Sequence, residues 1–111
     1  MTLRRGDLVW VAVKGPYTGK PRPAVVVQAT AAVEYRDSVT VCLLTSEKID
    51  APAFRVRVRR SKWNALEVDS DIMVDKVVTI PKEAMASPGL GRLSPREIAD
   101  LNRALRFWLA L

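Results

Sequence analysis

Short apolar runs separated by polar stretches rich in glycine and proline dominate the chain, the pattern of strands joined by loops. Residues 7–13, with Val9, Trp10, Val11 and Val13, predict a first strand after the turn-like Arg5-Gly6-Asp7. Two glycines and three prolines make residues 14–23 a loop. Residues 24–29 predict a second strand, opened by Pro23 and apolar enough to be buried on both faces. A polar connection, Thr30 to Ser38, leads to a third strand, Val39–Leu44, which ends at Thr45-Ser46-Glu47. From Phe54 to Arg59 apolar residues alternate with Arg55, Arg57 and Arg59, predicting a half-buried strand with a cationic outer face. A polar connection around Trp63 is followed by a strand over 71–80, closed by Pro81, and by irregular chain over 82–93. Ser94-Pro95-Arg96-Glu97 is a helix start, with Ser as N-cap, Pro in the first turn and Glu three residues after the cap. Ile98, Leu101, Leu105 and Trp108 then recur at spacings of three and four, so an amphipathic helix is expected from about 95 to 110, packed on the sheet. Several short strands followed by one helix imply a small, bent sheet or barrel with the helix outside, in a single domain over residues 1–111.

Charge changes this picture more than composition does. Forty-nine per cent of residues are hydrophobic, ordinary for a globular chain, and no apolar run approaches the roughly 20 residues of a membrane span. The first residues carry charge with no apolar signal core behind them, so a cytoplasmic location is expected. The net charge is +6 and the isoelectric point near 10, which points to a polyanionic partner, nucleic acid first. The basic residues are segmented: five lie in residues 1–30 and five in 53–66, whereas 67–75 holds Glu67, Asp69, Asp71 and Asp75. That acidic stretch reads as a solvated turn rather than a metal site.

Histidine is absent and Cys42 is the only cysteine. These two facts remove the usual general base, the Ser-His and Cys-His nucleophile pairs, any internal disulfide and the multi-cysteine zinc sites. Within its apolar run Cys42 reads as a buried, inert thiol. No phosphate-cradling glycine motif is present. The remaining candidates are cations and hydroxyls. Pro21 and Pro23 stiffen the backbone on either side of Arg22, and a guanidinium held in this way suits a phosphate. Its loop also offers Lys14, Lys20 and the ring of Tyr17, a combination that stacks bases and holds phosphates, although a ring capping the core edge explains Tyr17 equally well. Arg55 and Arg57 can guide a phosphodiester backbone or simply discourage edge-to-edge strand pairing. Taken alone, Arg22 is a surface arginine beside a turn and Thr45 a hydroxyl satisfying a backbone donor.

Five pieces in order change that balance. Arg5-Gly6-Asp7-Leu8-Val9-Trp10, Arg22-Pro23-Ala24-Val25-Val26-Val27-Gln28, Leu43-Leu44-Thr45-Ser46, Met73-Val74-Asp75-Lys76 with Thr79-Ile80, and Gly91-Arg92-Leu93-Ser94 before the terminal helix together resemble the MazF/PemK family of bacterial toxins. The resemblance implies a mainly β fold, an SH3-like small barrel with a C-terminal helix. It also implies a homodimer, an acidic antitoxin as partner, and cleavage of single-stranded RNA without metal or cofactor, leaving 2′,3′-cyclic phosphate and 5′-hydroxyl ends. It assigns catalysis to Arg22 and Thr45. RNA contacts are expected at Tyr17, Lys20, Ser46, Arg55, Arg57 and Lys76. Two departures bear on target sequence: the first loop is short and lacks a carboxylate, and Asp75-Lys76 replaces the Glu-Gln of many members. The alternatives are a gyrase-inhibiting toxin of the CcdB type, whose Trp-Gly-Ile ending is matched here only by Trp108, and a non-catalytic RNA-binding barrel.

Overall fold

In a computed structural model the described residues are 3–12, 20–86 and 89–111. Tyr17 and most of the first loop therefore lie outside the described residues. Six antiparallel strands form one sheet: β1 (Leu8–Val11), β2 (Arg22–Val26), β3 (Ser38–Thr45), β4 (Arg55–Val58), β5 (Ser70–Pro81) and β6 (Met85–Ala86), in the order β4-β5-β3-β2-β1-β6. Among the described residues the sheet stays open, with β4 and β6 at its edges.

Alternation along the strands produces two cores, one on each face of the sheet. Leu8, Val25, Cys42, Leu44, Val56 and Ile72 pack with Leu101, Ala104 and Leu105 of the terminal helix α2 (Pro95–Leu109). Val9, Val11, Ala24, Val26, Val41 and Leu43 pack on the other face with Val33, from a short helix α1 (Thr30–Val33) that the polar connection concealed. The helix α2 begins as its sequence predicts: Ser94 Oγ accepts from Glu97 N at 3.1 Å, and Glu97 Oε1 accepts from Ser94 N at 2.8 Å. Its apolar stripe divides. Leu101 and Leu105 are buried, whereas Trp108 remains 46% exposed with its ring 5.7 Å from that of Phe54. Truncating the fully buried Leu101 to Ala is worth about 2–5 kcal/mol of stability.

Two of the five recognised motif pieces form a clasp that is structural. Gly6, at φ +93°, donates to Val26 O, and Leu93 N returns to Gly6 O at 3.0 Å. The Arg92 guanidinium pairs with the Asp7 carboxylate and also donates to Arg5 O. Gly91 is required by close approach: a Cβ there would stand 2.1 Å from Trp63 O. These contacts fix the start of the sheet to the chain entering α2, and through Gly91 to the β4–β5 loop.

Candidate RNA-cleavage site

β2 begins at Arg22, two residues before the expected start, and Pro23 lies inside it. The consequence for the site follows from where the missing proline donor points. Val26 N donates to Asp7 O and Val27 N to Thr40 O, so even-numbered donors of this stretch face β1 and odd-numbered ones face β3. Pro23 leaves its vacancy on the β3 side. Accordingly β1 stays in register with β2 through Pro23 and Arg22, whereas the β2–β3 ladder ends at Ala24 opposite Leu43. The same register continued two positions past that pair would set Arg22 opposite Thr45.

A cleft of about 250 Å³ opens where the ladder stops. Lys20, Arg22, Pro23, Leu44, Ser46 and Glu67 are among its lining residues. Arg22 is half-buried, while Lys20 and Ser46 are exposed. Thr45 stands between two lining residues, and its Oγ1 accepts from Glu47 N at 3.1 Å. With one lone pair held by that backbone donor, the hydroxyl hydrogen is still available to a ligand. Glu67, a carboxylate on the same wall, escaped the sequence reading because it reaches the cleft through the β4–β5 loop. Among the described residues no group of three or more acidic or cysteine side chains is arranged to hold a metal ion.

Other candidates are placed elsewhere. Asp71, read from sequence as part of a solvated turn, is 1% exposed. It pairs across the sheet with Thr45 on β3 and Arg57 on β4. Its carboxylate accepts from Arg57 Nε at 2.5 Å, Arg55 Nη1 at 3.2 Å and Ile49 N at 3.0 Å. Arg55 also donates to Glu47 O and its side chain is only 14% exposed, whereas that of Arg57 is 47% exposed. The expected cationic face of β4 is therefore largely engaged with an internal anion. Arg55 and Arg57 line a separate cavity of about 320 Å³ with Asp100 and Arg103 of α2. Lys76 is exposed within the stretch of β5 where the β3–β5 register shifts, and it does not line the cleft. Burial pushes the Cys42 thiol up to about 12, as expected for an inert cysteine.

The family model of PemK-like, MazF-like toxins of type II toxin–antitoxin systems matches residues 4–109. The chain belongs to the PemK/MazF toxin family. It is 37% identical over 109 residues to a probable MazF endoribonuclease of Mycolicibacterium smegmatis, covering 98% of both chains. To the MazF9 endoribonuclease of Mycobacterium tuberculosis it is 32% identical over 117 residues, covering 98% of each. The MazE–MazF structure from Deinococcus radiodurans shares the fold with a TM-score of 0.81 at 19% identity, over 100% of this chain and 99% of that one. A mycobacterial endoribonuclease solved with its cognate antitoxin matches with a TM-score of 0.79 at 21% identity, over 98% and 96%. The PemK/MazF fold is thus present nearly end to end, including the strand-plus-helix architecture that the sequence predicted. Among the described residues no helix is long and apolar enough to cross a membrane.

Proposed function

We propose that this PemK/MazF toxin cuts single-stranded RNA in the cleft between β2 and β3, with Arg22 and Thr45 as its catalytic pair. The reading rests on one observation above all: the β2–β3 ladder ends at Ala24 opposite Leu43, beside an open cleft that Arg22 lines and next to which Thr45 stands. RNA carries its own nucleophile. When a 2′-hydroxyl attacks the adjacent phosphorus, the bond to the 5′-oxygen breaks and a 2′,3′-cyclic phosphate and a 5′-hydroxyl remain. The protein's task is then to orient the phosphate and stabilise the charge gathering on its oxygens. Arg22 offers paired, permanently charged donors and Thr45 a neutral one. Lys20 and Ser46 add a cation and a hydroxyl on the same walls. Arginine stays protonated at ordinary pH and is no base. Glu67 is the carboxylate available on the cleft wall to accept the 2′-hydroxyl proton.

An acidic antitoxin segment and a homodimeric, cytoplasmic state complete the proposal. A disordered acidic segment matches a protein of charge +6, because it can neutralise an extended cationic surface while burying large area. The experiment is incubation of the protein with long single-stranded RNA in EDTA, with fragment ends mapped. Discrete cuts bearing 2′,3′-cyclic phosphate are expected, and Glu67→Gln should slow them by about 10²-fold. Absence of cleavage by folded protein, or ends bearing 5′-phosphate, contradicts the reading.

A further inference from the structure

The β4–β5 loop carries an exposed tryptophan on a frame built to hold it still. Trp63 is 75% exposed, with Lys62 Nζ 4.9 Å from its ring centroid. Beneath it, Asn64 is buried, with its Oδ1 accepting from Ser61 N and Leu66 N, both at 3.0 Å, and its Nδ2 donating to Arg59 O at 2.8 Å. Ser61 Oγ accepts from Trp63 N and Asn64 N at 3.2 Å. Ala65 is held at φ 56°, a conformation disfavoured for a residue with a Cβ, and Trp63 O lies over Gly91. A buried amide, a left-handed alanine and an obligatory glycine fix the backbone of a turn whose outward side chains include Lys62 and Trp63. Among the described residues, neither the core clusters nor the cleft lining includes Trp63.

We propose that Trp63 is a stacking platform for a base of single-stranded RNA lying outside the cleft. This rests on RNA being the substrate of the Arg22 site. Two observations select the occupant. Residues 53–66 contain five basic side chains and no acidic one, and Arg59, Arg60 and Lys62 are exposed, so the platform stands in a positive field suited to phosphates. The loop is also continuous with the proposed active site: Leu66 anchors it in the core, and Leu66, Glu67, Val68 and Ser70 line the Arg22 cleft. Trp63 and Leu66 are three positions apart in the chain, so their Cα atoms are at most about 11 Å apart. Val68 on the cleft wall is 50% exposed and Trp63 on the same loop 75% exposed, so both are accessible to a strand that extends beyond the cleft. Every base has a π face, so the contact adds affinity without fixing the sequence that is cut.

The test measures binding of a labelled single-stranded RNA of mixed sequence by Arg22→Ala protein, which is expected to hold RNA without cutting it. Adding Trp63→Ala should weaken binding by roughly fivefold to a hundredfold, whereas Trp63→Phe should recover most of it. Duplex RNA, whose bases are already stacked, should show no such dependence. Because Trp63 is exposed, melting temperatures of all variants should agree, which separates lost stacking from lost fold. Equal RNA affinity for Arg22→Ala with and without Trp63→Ala overturns the proposal, as does a Phe variant as weak as the Ala variant. If Trp63→Ala instead weakens only the binding of an acidic antitoxin peptide, the surface is a protein-docking site and the proposal fails. Cleavage by the wild type, measured separately, judges the Arg22 site, so failure of the platform and failure of the ribonuclease reading give different results.

Discussion

Arg22 on β2 and Arg55 with Arg57 on β4 are both arginines on alternating, proline-flanked or apolar strands, yet the fold treats them oppositely. Arg22 stands where a ladder has been ended and a cleft opened. Arg55 and Arg57 stand against Asp71, an almost fully buried carboxylate that also holds the backbone of the loop following Thr45 through Ile49 N. Thr45, Asp71 and Arg57 form one transverse row across β3, β5 and β4, and the β2–β3 register, continued past its last pair, brings Arg22 to the same row, so position in the sheet is shared and the surroundings differ. A basic strand face therefore says little about nucleic acid until the nearest buried anion is known.

Several substitutions sharpen the contrast. At the cleft, Thr45→Val should reduce RNA cleavage by about 10²–10³-fold, the scale of one lost transition-state donor, with little change in Tm. Across the row, Asp71→Ala leaves the poorly exposed Arg55 guanidinium without its anion and should destabilise the fold by about 3 kcal/mol, read in urea titrations. Cleavage per folded molecule should survive that change to within a few-fold of wild type. Arg55 and Arg57 should then part company: Arg55→Ala lowers stability, while Arg57→Ala chiefly weakens RNA binding and makes its salt dependence shallower by about 0.7 in log–log slope, one phosphate contact.

The smallest effect concerns Cys42. Its thiol is raised from 9.0 to about 12, so the folded state favours the protonated form. That contribution to stability is complete below pH 9 and is lost as pH climbs through 12, a decline that Cys42→Ala should flatten. Alkylation of the folded wild type at neutral pH should be correspondingly slow.

The strands, the α2 cap and the inert cysteine were legible because each rests on local pattern: alternation, a capping box, an apolar run. The partner of Arg55 and Arg57 was not, because Asp71 is brought to them by β4–β5 pairing and looks, in sequence, like one more acid in an acidic turn. The same holds for Glu67, whose place in the cleft depends on the β4–β5 loop folding back over Gly91. Helix α1 has no side-chain cap and too few residues for a period, and β6 is two residues long. Pro23 in sequence marks a strand start, although its missing donor interrupts the pairing on one side only, the side on which the β2–β3 ladder ends. Trp108 belongs by spacing to the stripe packed on the sheet, yet it is 46% exposed.

We propose that the β2–β3 end, and not the arginine strand, carries the chemistry. Single-turnover cleavage of one single-stranded RNA in EDTA by Arg22→Ala and Asp71→Ala, each corrected for the folded fraction, tests it directly. Arg22→Ala should lose at least about 10²-fold in cleavage per folded molecule, and Asp71→Ala should show a lowered Tm with nearly intact cleavage. Cleavage by Arg22→Ala within a few-fold of wild type, or its loss only in Asp71→Ala, would contradict it.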